Sequence, residues 1–254
     1  MSLRAKKNIL HKAAAVGFSA VAFLAFSVSA HANLVTNGGF ETTTNGPGQL
    51  GYNTSAAGWS TPAPNGSYNF IFASGTADTT GSPGEYGNLQ LWGSNNGGID
   101  VLPASSPASG NYVAADGAFQ VGAISQTLTG LTIGDSYNVS FYWAGAQQAG
   151  FTGITTEQWQ VSLGSQTQST AIVTDPSHGF TGWMPQTFTY QATADTEVLS
   201  FLAAGTPNGE PPFSLLDGVS ANLAPEPGYL IPVAGFMGLL FGLRFLKSKN
   251  LIKA

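Results

Sequence analysis

The chain has 254 residues, 43% apolar and 11% aromatic, with 8% charged, no cysteine and a formal net charge of −5. All eight basic residues (Arg4, Lys6, Lys7, Lys12, Arg244, Lys247, Lys249 and Lys253) lie in two terminal segments, so residues 33–243 contain no Lys or Arg. That absence excludes the phosphate neutralisation on which nucleic-acid, nucleotide and anionic head-group binding depend, and the lack of cysteine leaves an apolar core as the source of stability.

Taken from the N-terminus, residues 1–32 have the layout of a secretory signal peptide. A basic start is followed by the apolar stretch 13–28 and by Ala30-His31-Ala32, an A-x-A cleavage site. Export signals are set aside before the fold is considered. What remains, residues 33–224, suits one large all-β domain of about 190 residues.

Residues 33–41 (NLVTNGGFE) predict a short strand and a turn, and 42–66 predict a loop rich in Thr, Gly, Asn and Pro. Short strands are expected at 68–73 and 89–92, separated and followed by Gly/Ser/Pro loops at 74–86 and 93–110. Loops of that length in a domain are candidate functional surface. From residue 111 the pattern is regular, with strands expected at 111–115, 123–128, 136–143, 157–163, 167–173, 187–191, 198–202 and 214–222.

Tyr137, Val139, Phe141 and Trp143 alternate with Asn138, Ser140 and Tyr142, and Trp159, Val161 and Leu163 alternate with polar residues. This is period two, with one face apolar. Gly134-Asp135, Asp175-Pro176 and Pro207-Asn208-Gly209 mark turns. The pattern predicts an all-β fold, a two-sheet antiparallel β-sandwich of the jelly-roll kind.

The C-terminal segment is Pro225-Glu226-Pro227, then the apolar run 229–243, then Arg244, Lys247 and Lys249. As a helix, 229–243 would be about 22 Å long. With Phe245 and Leu246 added and Arg244 snorkelling, it approaches the roughly 30 Å of a bilayer core. The basic end would stay on the cytoplasmic side. These three parts in this order resemble the PEP-CTERM sorting signal of bacterial exported proteins. The resemblance implies recognition by a membrane-embedded exosortase and cleavage near Pro225, Glu226 and Pro227. It also implies an inner-membrane-anchored precursor that passes to the cell envelope or extracellular matrix.

A second resemblance concerns residues 33–224. The opening Asn33-Leu34-Val35, Asn37-Gly38 and Phe40-Glu41, then Gly58-Trp59, and the closing Leu215-Leu216-Asp217-Gly218-Val219-Ser220 resemble β-sandwich carbohydrate-binding modules and galactose-binding-like domains. Residues 124–128 followed by Gly134-Asp135-Ser136-Tyr137 are similar to the middle of such domains. The resemblance implies that Glu41 and Asp217 meet and hold a structural calcium. The residues point the same way, because two converging carboxylates repel and no cationic side chain is at hand to neutralise them. Gly218 takes one position at which such modules often carry a ligand.

Catalytic chemistry is poorly supplied. His178 is the only histidine between residues 33 and 254, and no G-x-S-x-G elbow accompanies it. Glycoside hydrolysis needs only a pair of carboxylates, so a polysaccharide hydrolase or lyase stays as the alternative to a non-catalytic protein. The non-catalytic reading is a glycan-binding or structural component of the surface or matrix. Sugars are bound by aromatic rings against their apolar faces and by amides on their hydroxyls. The candidates are Tyr142, out of phase with the core, Trp92 and Trp183 in loops, and Gln158 and Gln160, expected to share a polar surface with Tyr142.

Overall fold

The computed structural model describes residues 32–62 and 67–225. The expected signal peptide up to Ala30, Glu226 and Pro227 of the sorting motif, and the apolar helix with its basic tail lie outside the described residues. Ala32 and Pro225, at the two ends, are exposed.

Thirteen strands and no helix occur among the described residues: β1 Gly48–Gln49, β2 Asn69–Phe72, β3 Ser82–Gly84, β4 Gly87–Leu89, β5 Tyr112–Asp116, β6 Ile124–Thr129, β7 Ser136–Gln147, β8 Thr155–Leu163, β9 Gln166–Ser169, β10 Val173–Asp175, β11 Met184–Gln191, β12 Thr196–Thr206 and β13 Pro212–Leu223. One sheet runs β1-β2-β5-β13-β7-β11 and the other β10-β8-β12-β6, with β9 also on β8 and β3-β4 as a separate hairpin. Every pairing between these strands is antiparallel.

The two large sheets share a core. Val113, Val139, Phe141, Trp143, Phe188 and Leu216 from the first pack with Ile124, Leu128, Trp159, Val161, Leu199 and Phe201 from the second. The Trp159 indole donates to Leu215 O across the gap at 2.9 Å, and Tyr190 OH donates to Val161 O at 2.7 Å. Each bond satisfies a polar tip that would be costly to bury alone. The all-β expectation and the two facing antiparallel sheets are what the structure shows.

A second core was not anticipated. It lies on the outer face of the six-stranded sheet, where Phe70, Phe72, Tyr112, Ala114, Ala144, Ala146, Phe213 and Leu215 alternate with residues of the first core. Ala77, Leu89, Leu91 and Leu102 cover it. All come from the stretch between β2 and β5, Ala77 and Leu102 from the expected loops at 74–86 and 93–110 and Leu89 and Leu91 from the expected strand at 89–92, so this stretch forms a packed lid. Residues 42–62, within the third, are pinned by Asn37 and Asn45 side chains and contribute β1.

Three strand expectations need correction. Of the strand expected at 89–92 only Leu89 is in one, β4, while Leu91 makes an isolated bridge to Gln148. Residues 33–41 form no strand. Leu34 N donates to Ala221 O at 2.9 Å, but Asn37 and Phe40 have φ of 54° and 57°, left-handed values that end any extended run. The single strand expected at 167–173 is two, β9 and β10, split at Thr170. There the Thr170 hydroxyl accepts from Trp159 N at 3.0 Å, and its carbonyl accepts from Gln158 Nε2 at 2.8 Å.

Candidate functional site

A cleft of about 290 Å³ opens at one end of the molecule, lined by Tyr68, Tyr86, Asp116, Phe119, Phe151 and Asn208 among others. Four turns build it. Tyr68 precedes β2, Tyr86 caps the β3–β4 hairpin, Phe119 follows β5, and Asn208 sits in the turn between β12 and β13. Phe151, after β7, and Gln148 close the remaining side.

The rings form one cluster. Phe119 meets Tyr68 edge to face at 5.3 Å and Tyr86 at 6.1 Å, and Tyr68 lies 6.0 Å from Tyr86. Apolar surface on this scale is normally buried, yet Tyr86 is 64% exposed, Phe119 40% and Phe151 37%.

Asp116 supplies the charge of this cleft. Its Oδ1 accepts from Ala118 N at 2.8 Å and Phe119 N at 3.0 Å, while Oδ2 is buried with no partner. Burial pushes its carboxyl up to about 6, although the two backbone donors pull the other way. Burial, and then the Asp116 charge, raise the Tyr68 phenol to about 12, so it stays protonated. The cleft therefore offers stacking rings, amide groups from Gln148 and Asn208, one carboxylate and no cationic side chain.

Glu41 and Asp217 both lie beside Gly39, where a Cβ would lie 3.7 Å from Asp217 Oδ1 and 3.9 Å from Glu41 Oε1. Asp217 is buried on the outer face of β13, its Oδ2 accepting from the Ser106 hydroxyl and its Oδ1 from Gly218 N at 2.6 Å. Glu41 is exposed and its Oε1 accepts from Asn111 N at 2.7 Å. Burial pushes the Asp217 carboxyl up to about 7; the Ser106 and Gly218 donors oppose this and the Glu41 charge adds to it. Gly218 sits at the bulge of β13 with φ of 61°. A side chain there would crowd Ala108, so glycine at this position serves the turn.

The predicted sugar contacts are scattered. Tyr142 lies on the outer face of β7, paired with Pro185 and Asp217. Gln158 and Gln160 lie on the opposite side of the sandwich, because their neighbour Trp159 and Tyr142's neighbour Trp143 both point inward. The expected shared surface is thus corrected: these strands belong to different sheets. Gln158 instead helps line a shallower depression of about 190 Å³ with Thr156, Ile172 and Thr206. Trp183 packs at 5.5 Å on Tyr112 over the second core. Trp92 packs tilted against His178, with ring centroids 4.2 Å apart, and donates from Nε1 to Phe151 O at 2.8 Å, so it reaches the cleft through Phe151. The cleft residues escaped the sequence reading. Two of them carried a signal, an aromatic beside glycine in a turn, as in Tyr86-Gly87 and Gly150-Phe151; Tyr68 and Phe119 did not.

No protein-family model matches the chain, and no curated protein matches it. Among solved structures it is similar to the module TmCBM61 in complex with beta-1,4-galactotriose, with 15% identity, 76% of this chain and 99% of that chain covered, and a TM-score of 0.38. It is also similar to the CBM22-1 xylan-binding domain from Paenibacillus barcinonensis Xyn10C, with 13% identity, 78% and 97% coverage and a TM-score of 0.37. The arabinose-bound MgGH51 α-L-arabinofuranosidase matches at 13% identity over 76% of this chain and 27% of that chain, with a TM-score of 0.40.

Proposed function

We propose that residues 33–224 form a non-catalytic glycan-binding domain, exported and sorted by an exosortase through Pro225, Glu226 and Pro227 to the cell envelope or extracellular matrix. The observation that carries this reading is the exposed rings of Tyr86, Phe119 and Phe151, backed by the buried ring of Tyr68, around a cleft with amides and one carboxylate on its walls. Such a cleft suits an uncharged sugar, whose C–H faces stack on rings while its hydroxyls bond to Gln148 and Asn208. A hydrolase would need two carboxylates flanking the scissile bond, and Asp116 is the one carboxylate on the cleft wall. Glu41 and Asp217 would hold a structural calcium that ties the segment before β1 to β13. Binding of residues 33–224 to a glycan array tests the reading. Retention of a neutral polysaccharide that is lost in Tyr86→Ala and Phe119→Ala supports it. Release of reducing ends from the retained polymer would overturn the non-catalytic part. Mass spectrometry of the mature protein tests sorting, and an intact Ala254 on freely secreted protein would contradict it.

A further inference from the structure

Two further fully buried acids, Glu157 and Asp175, belong neither to the cleft nor to the Glu41–Asp217 pair. Thr155 and Glu157 of β8 face between the sheets, in phase with Trp159. Asp175 of β10 is the direct cross-strand partner of Thr155, so its side chain leaves the sheet on the same side. All three are 0% exposed. The four carboxylate oxygens and Thr155 Oγ1 are buried with no hydrogen-bond partner.

The surroundings are cut back to make room. Across the gap, a Cβ at Gly145 of β7 would lie 2.6 Å from Glu157 Oε2, and one at Gly179 would lie 2.6 Å from Asp175 Oδ1. Asp100 brings a third negative charge near Asp175, its own Oδ2 accepting from Phe180 N at 3.2 Å. The nearest titratable group of the other kind, His178, turns its ring onto Trp92. Burial raises the Glu157 carboxyl to about 8, with the nearby Thr155 hydroxyl opposing and the Asp175 charge adding. Asp175 rises to about 7 through burial and then the Asp100 charge.

Two unpaired buried carboxylates cost several kcal/mol each unless something neutralises them, and residues 33–243 contain no Lys or Arg to do so. We propose that Thr155, Glu157 and Asp175 bind a hard divalent cation of the calcium type between β7, β8 and β10. Only oxygen donors are present, which disfavours zinc and copper. No three His, Cys, Asp or Glu side chains form a metal cluster among the described residues. Two carboxylates therefore balance the ion's charge, and neutral oxygens complete its six to eight ligands. The ion fastens the short edge strand β10 to β8. It also anchors the turn after β10, where His178 N donates to Gln147 Oε1 at 2.9 Å and Gly153 N donates to Ser177 Oγ at 2.9 Å.

The experiment uses the full chain, stripped with chelator and titrated with calcium by calorimetry and with terbium by tryptophan-sensitised luminescence. Trp159 lies two residues from Glu157 on the same face. Asp217→Asn removes the other acid pair, so the two metal readings fail separately. In that background one equivalent of calcium still binds, and adding Glu157→Gln or Asp175→Asn weakens it at least about tenfold. Either double variant suffices, since one may fold where the other does not. An Asp217→Asn protein that takes up neither ion overturns the proposal. So does a folded double variant that binds as tightly as Asp217→Asn alone.

Discussion

Phe119 shows how a single side chain decides the cleft. Its ring is held edge to face by Tyr68 at 5.3 Å, with the Phe119 N–H tied to Asp116 Oδ1 at 3.0 Å, so it is presented at a fixed angle. Rigid aromatics lose little entropy on binding. Phe119→Ala should therefore cost about 2 kcal/mol of glycan affinity, roughly thirtyfold, by loss of buried apolar area. Titration calorimetry with the array hit checks this, and an unchanged affinity would move the site elsewhere. Asp217 makes a second residue-scale case. Calcium at about 100 times its dissociation constant would stabilise the fold by about 2.7 kcal/mol per site. That corresponds to about 5–10 °C in the unfolding midpoint of a domain this size. Millimolar calcium against EDTA should show such a rise in the wild type and a smaller one in Asp217→Ala. An unmoved wild-type midpoint would remove the site.

At the scale of elements, the strands with one solvated face were legible. β8 and the first part of β7, up to Trp143, alternate apolar and polar residues because one face is core and the other is at least partly solvated. β2 and β5 were harder to read: β2 is buried at every position and β5 likewise, because each serves both cores. The lid over the second core was not legible as a lid. Leu89 and Leu91 fall in the short strand expected at 89–92, but Ala77 and Leu102 are single apolar residues in Gly/Ser/Pro sequence without periodicity, and only the sheet beneath gives the four a common target. The same reasoning explains the misplaced sugar contacts. Period two tells in from out, but not which sheet a strand joins, and Tyr142 and Gln158 were separated by that choice. Leu91 is fully buried in the second core. Leu91→Ala should lower stability by about 2–5 kcal/mol, as for a core leucine. Urea denaturation measures this, and a loss below about 1 kcal/mol would mean that the lid is not part of the cooperative fold.

For the whole molecule, the absence of Lys and Arg from residues 33–243 governs both binding and stability. A cleft without cations releases no counterions from the protein. Glycan affinity should then be nearly the same at about 0.05 M and 0.5 M salt, and a preference for sulfated polymers in chelator would contradict the cleft's chemistry. The consequence for stability is sharper. Burial raises the carboxyls of Asp116 to about 6, Asp175 and Asp217 to about 7, and Glu157 to about 8, from ordinary values of 3.8 for Asp and 4.5 for Glu. Between about pH 4 and pH 8 the folded chain thus holds more protons than the unfolded chain. Unfolding free energy then falls as pH rises through that window, in the opposite direction to a protein whose acids are salt-bridged. In EDTA the protein should be more stable at pH 5 than at pH 8 by several kcal/mol, since each raised unit is worth about 1.4 kcal/mol before relaxation and water entry reduce it. Calcium in place of EDTA should recover most of the loss at pH 8, because the ion replaces the protons at Asp217 and at Glu157 and Asp175. Asp116 lies outside both proposed metal sites, so its share should stay lost. Asp116→Asn should recover that share at pH 8 without metal. Unfolding midpoints in EDTA at the two pH values decide the matter: a midpoint that rises from pH 5 to pH 8 would show that these carboxylates are neutralised by something other than protons or metal.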